Sequence, residues 1–125
     1  MNDVKKFEDL KCWQNARRLV KNIYQLSSNG ELSRDYDLRS QLRRAAVSVM
    51  NNIAEGHSKF SKKEFVKYLD ISAGSAGEVK SMFYLLEDLG YLEHKVLKEM
   101  HNLVDETRAM TLGLLKYIID KYNLR

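Results

Sequence analysis

Apolar side chains recur along most of this chain at alternating steps of four and three residues, the spacing that keeps them on one side of an α-helix. The first such segment covers about residues 7–27, with Leu10, Trp13, Ala16, Val20 and Ile23 on one face and Arg17, Arg18 and Lys21 beside it. The run Ser27, Ser28, Asn29, Gly30 ends it, because short polar side chains compete for backbone hydrogen bonds and glycine tolerates positive φ. A second helix is expected over 37–55, capped by Asp37, striped by Leu38, Leu42, Ala45, Val49 and Asn52, and stopped by Gly56. Ser61 and Glu64 form the S-x-x-E capping box that opens a third, over 62–89. Its stripe of Phe65, Leu69, Ser72, Ala76, Val79, Phe83 and Leu86 holds the four-three alternation without a fault. After a turn at Gly90, a fourth helix over 93–121 carries Val96, Met100, Leu103, Thr107, Met110, Leu114 and Tyr117.

Four amphipathic helices, no strand-like alternation and no proline predict an all-α domain. With short second and third connections, an antiparallel up-down-up-down four-helix bundle is the economical arrangement. Two local features strain against that simple picture. Ala73, Gly74, Ser75, Ala76 and Gly77 place two glycines in the middle of the third helix, at about 1 kcal/mol each relative to alanine. Either they admit the second helix at close range or they form a seam between subunits. Asn51, Asn52 and Glu55 set polar groups at or beside the second stripe, where hydrogen bonds from them to Ser72 or Ser75, or to a helix end, would fix register between the second and third helices.

At 125 residues the chain is long enough for one core. Its apolar runs fall far short of the roughly 20 residues a membrane span needs, so no membrane role is expected. The opening MNDVKKFEDL puts acidic residues where a signal peptide needs an apolar stretch, which makes the cytoplasm the expected location. The net charge of +4 is mild but uneven: residues 1–67 hold 14 of the 21 Lys and Arg and only 8 of the 17 Asp and Glu. Clustered cations attract phosphate, so an anionic partner is favoured.

Catalytic chemistry finds no assembled set of residues. Di-metal helical bundles need Glu-x-x-His, which is missing, and His94, His101 and Asp105 on one helical face are expected to be solvated polar groups rather than ligands. There is no nucleophile elbow and no glycine-rich phosphate loop. Cys12 has no partner for a disulfide and reads as packing. His57 sits in the expected second connection, solvated or touching a phosphate. The chain is therefore read as a non-enzyme without cofactor or metal.

The basic residues carry the functional weight. Arg39 and Arg43 share a helical face with Arg44 beside them, and Lys59, Lys62, Lys63 and Lys67 crowd the next connection and helix start. Phe60 and Tyr68 offer stacking surfaces for unpaired bases. The competing account is that the lysines only solvate a surface while the arginines pair with Asp35, Asp37 or Glu55.

Phe7, Leu10 and Trp13, then QLRRAAVSVMNNIAEG over 41–56, Glu64 and Phe65, SAGSAGE over 72–78, and Leu89 to Tyr91 together resemble one family. It comprises four-helix-bundle proteins encoded in intervening sequences of bacterial large-subunit ribosomal RNA genes, relatives of the accessory variability protein of diversity-generating retroelements. The resemblance implies rings of five subunits. It also implies association with nucleic acid through basic surfaces, or with a reverse transcriptase or other protein. Met50 stands where many relatives carry proline, which implies a straighter second helix here. The expectation is a homopentameric bundle contacting structured RNA or DNA through Arg39, Arg43, Arg44, Lys59, Lys62 and Lys63, with Arg17, Arg18 and Lys21 as a second patch. The alternative is a protein-interaction scaffold or accessory subunit without direct nucleic-acid binding.

Overall fold

The computed structural model describes residues 4–125. Its four helices are α1 (Lys11–Leu26), α2 (Tyr36–His57), α3 (Lys62–Asp88) and α4 (His94–Tyr122), with short 3-10 turns at Phe7–Asp9 and Glu31–Arg34 and no strand among the described residues. Contacts at the helix ends give the directions. His57, in the last turn of α2, donates from Nε2 to the Val4 carbonyl ahead of α1 at 2.7 Å. Lys62 at the start of α3 lies 5.4 Å from the Tyr122 ring at the end of α4. At the other end, the Tyr91 hydroxyl just past α3 donates to Asp35 just ahead of α2 at 3.0 Å. Successive helices thus alternate, with α2 against α1 and α3, and α4 against α3 and α1.

The stripes form the core. Every member of the α3 stripe is buried, as are Leu38, Leu42, Ala45 and Val49 of α2, while Trp13, Val20, Val96, Met110 and Tyr117 flank the core half-buried. Ser72 is tolerated inside because its hydroxyl donates to the Val49 carbonyl of α2 at 2.7 Å. Register between α2 and α3 is tied there and at Ser48 and Ser75, whose hydroxyls lie 2.7 Å apart. Asn52 does not reach α3: it donates to the Ser48 carbonyl at 2.8 Å and the Ser48 hydroxyl at 3.0 Å, one turn back on its own helix.

Several boundaries move for local reasons. α1 starts at Lys11 rather than residue 7 because Leu10 is extended (ψ 125°), and the preceding turn folds back so that Phe7 meets Trp13 edge-on at 5.2 Å. The cap of α2 is Asp35, not Asp37: its carboxylate accepts from the Leu38 amide at 3.3 Å. Gly56 does not end α2, which runs on to His57. It lies buried at a close crossing, where an added Cβ would stand 2.6 Å from the Tyr68 Cβ and 3.0 Å from the Phe65 ring. The serine half of the expected capping box forms, Ser61 Oγ accepting from the Glu64 amide at 3.4 Å. Gly90, at φ +67°, closes α3 in the expected turn, with its amide bonded to Glu87 and that of Tyr91 to Leu86, both at 3.0 Å.

The mid-helix glycines do not mediate the expected crossing with α2. Gly74 and Gly77 are exposed, and a Cβ at either would meet nothing within 4 Å.

Candidate nucleic-acid interface

The length of α2 separates what the sequence places in one basic constellation. Arg39 and Lys59 are twenty residues apart on or just beyond one helix, roughly 30 Å at 1.5 Å per residue. Arg39, Arg43 and Arg44 belong to the end of the bundle where α1 finishes and α2 begins; Lys59, Lys62 and Lys63 belong to the opposite end.

At the arginine end, Arg43 is locked in place. Its guanidinium stacks over the Tyr24 ring of α1, 4.4 Å from the centroid. Nε donates to Ser27 Oγ at 2.8 Å, while Nη2 donates to Ser28 Oγ at 3.2 Å and the Tyr24 carbonyl at 3.5 Å. Ser27 passes the connection on by donating to the Ile23 carbonyl at 2.5 Å, so a cation sits at the carboxyl end of α1, where the helix dipole favours it. Arg39 donates to the Ser33 carbonyl at 2.7 Å and lies 4.9 Å from the Tyr36 ring. Arg44 is exposed. The three line a groove of about 540 Å³ with Tyr24, Ser40, Val47 and Ser48. Arginines held by stacking and hydrogen bonds lose little further freedom when an anion arrives, and Nη1 of Arg43 keeps its hydrogens for one. Arg17 and Lys21 lie seven and three residues before Tyr24, so they extend this cationic flank along α1, whereas Arg18 turns away from it.

At the lysine end, exposed lysines set their ammonium groups over aromatic rings. Lys59 lies 5.1 Å from the Tyr68 centroid, and Lys62 lies 6.0 Å from that of Phe65 and 5.4 Å from that of Tyr122. Lys63 is exposed, and Phe60 stands wholly in solvent at 105% relative exposure. None of the nine cations is ion-paired to a carboxylate of another described residue; the pairs Lys80–Asp105 and Arg125–Asp120 lie elsewhere. The anticipated pairing of the arginines with Asp35, Asp37 or Glu55 does not form. Tyr24 and Ser27, which hold Arg43, read in sequence only as helix surface and helix stop. The sole prior signal of their role is the Arg-rich segment that needs partners.

The remaining candidates resolve into packing. His57 does not lie in the connection: it belongs to α2, bonds Val4 and meets the Phe65 ring edge-on at 5.6 Å. Lys80 stands where His101 and Asp105 converge, with Nζ 3.2 Å from His101 Nδ1 and 3.0 Å from Asp105. His101, packed against Phe83 and Tyr84, is held below the usual histidine range by burial first and by Lys80 second. Burial pushes the Cys12 thiol up to about 11, which keeps it protonated and unreactive.

Fold and charge together define a class: an antiparallel four-helix bundle with cationic patches at both ends. Residues 8–113 match the family model of the 23S rRNA-intervening sequence proteins, and the chain belongs to that family. A similar solved structure is that of a protein with unknown function from the S23 ribosomal protein family of Bacteroides thetaiotaomicron. It superposes with a TM-score of 0.78 at 18% identity, over 84% of this chain and 95% of that one, a likeness of fold. Comparison with curated protein sequences returns no match.

Proposed function

We propose that this protein is a non-catalytic, homo-oligomeric bundle that binds structured RNA or DNA through phosphate contacts, without strong sequence readout. The observation that carries this reading is the set of nine cations, exposed or half-buried, with no carboxylate partner among the described residues. Retained positive charge of this kind favours release of phosphate counterions on binding. Arg39, Arg43, Arg44, Arg17 and Lys21 serve one contact region and Lys59, Lys62 and Lys63 the other, with Arg18 beside the first. Self-association rests on the outer face of α3. There Gly74 and Gly77 lie beside the exposed apolar side chains Ile71, Tyr84 and Leu85, a face on which a second helix backbone can approach closely.

Salt-dependent binding of a structured RNA tests the reading. Changing Lys59, Lys62 and Lys63 together to glutamate should weaken binding and flatten its dependence on salt by about one logarithmic unit per lost phosphate contact. Unchanged affinity would remove these lysines from the interface. Capture of the native assembly with proteins and no RNA or DNA would replace this reading with that of a protein scaffold using the same α3 face.

A further inference from the structure

We infer that Phe60 is a stacking platform for an unpaired nucleotide base, which makes single-stranded segments the preferred ligand of the lysine end. This rests on the nucleic-acid reading and deepens it. Phe60 lies in the tight connection between α2 and α3, and its 105% relative exposure exceeds that of Tyr36, at 66% the next among the exposed large apolar residues. The core does not call for it, since Phe65, one turn into α3, is the buried aromatic at that end.

The neighbouring rings are already covered. Lys59 lies over Tyr68, and Lys62 lies over Phe65 and Tyr122. Phe60 has no ring contact or cation over it among the described residues, so both of its faces are open. Lys59 precedes it directly, and Lys62 and Lys63 follow within three residues, while Glu64 is the one acid in the first turn of α3. An open ring flanked by cations fits a nucleotide in both its parts: the base stacks and the adjoining phosphates meet the lysines. A duplex hides its base faces and can use only the lysines.

Other occupants fit less well. One phenylalanine is too little apolar surface to hold a membrane, where even a whole acyl chain binds only marginally. A second copy meeting this tip across a two-fold axis would bring lysine clusters of like charge together.

The test compares Phe60→Ala, Phe60→Leu and Phe60→Trp, using a labelled single-stranded RNA and a duplex of equal length. The expected result is a loss of roughly 5- to 100-fold in single-strand affinity for the alanine variant, the worth of one stacked base. The leucine variant should lose comparably, since it is apolar without a π face. The tryptophan variant should retain binding and show its emission quenched on addition of the single strand, with Trp13 as the one native tryptophan to subtract. Duplex binding should not change in any of them. If all three bind both RNAs like the parent while the triple lysine variant loses both, the stacking role is overturned and the phosphate reading survives. If the parent binds neither RNA, both fall. Phe60-dependent sedimentation with phosphatidylserine vesicles, without RNA binding, would assign the tip to membranes instead.

Discussion

Glycine has opposite meanings at two sites in this molecule. At Gly56 the neighbouring helix leaves no room, and the nearest obstacles are the Tyr68 Cβ and the Phe65 ring and carbonyl, none of them the free end of a flexible chain. Gly56→Ala gains helix propensity yet should destabilise the fold by about 1–3 kcal/mol, measured by urea unfolding, because α2 and α3 must move apart. Asp35 is a second such residue. It caps α2 with one carboxylate oxygen and accepts from Tyr91 with the other, so Asp35→Ala should cost about 1–2 kcal/mol and loosen the α3–α4 connection as well. His101 supplies a pH dependence. Its folded-state affinity for a proton is depressed below the ordinary value of 6.5, so the unfolded chain takes up the proton first. Its contribution is present above about pH 6.5 and is lost as the pH falls below it. Urea midpoints followed downward from neutral pH should decline, and His101→Gln should remove that part of the decline.

At the scale of the helices, α2 and α3 are joined by serines set into an apolar seam. Ser72→Ala should cost about 1 kcal/mol, since the Val49 carbonyl loses its second partner in a dry environment. Asn52→Leu should change little by comparison, because the bonds it removes run within α2. The outer face of α3 behaves in the contrary way to its inner one. With nothing within 4 Å of a Cβ, Gly74→Ala and Gly77→Ala should each stabilise the separated bundle by up to about 1 kcal/mol. In sedimentation the same changes should weaken self-association, since close helix approach no longer fits. Stabilised monomers with undiminished assembly would place the subunit seam on another face.

Across the whole molecule, the cationic patches are roughly 30 Å apart along α2, well beyond a Debye length of about 10 Å at 0.1 M salt. Charge reversals at the two ends should therefore lower the affinity for a long structured RNA additively. An oligonucleotide too short to bridge the ends should respond to changes at one patch only. Filter binding with the Arg44→Glu variant, the triple lysine variant and their combination checks this directly.

Four-three spacing of apolar residues determined the helices, their inner faces and the bundle, because helical periodicity is a local property that burial then enforces. The resemblance carried by residues such as Arg43, Arg44 and Gly77 also placed the chain in its family without coordinates. Tertiary structure alone decided which glycines are crowded and which face outward, since that depends on where a neighbouring helix lies. It also decided that Arg43 belongs to Tyr24 and Ser27, sixteen or more residues earlier in the chain. Basic residues that read as one cluster became two for the same reason: a rigid helix converts modest separation along the chain into distance across the molecule.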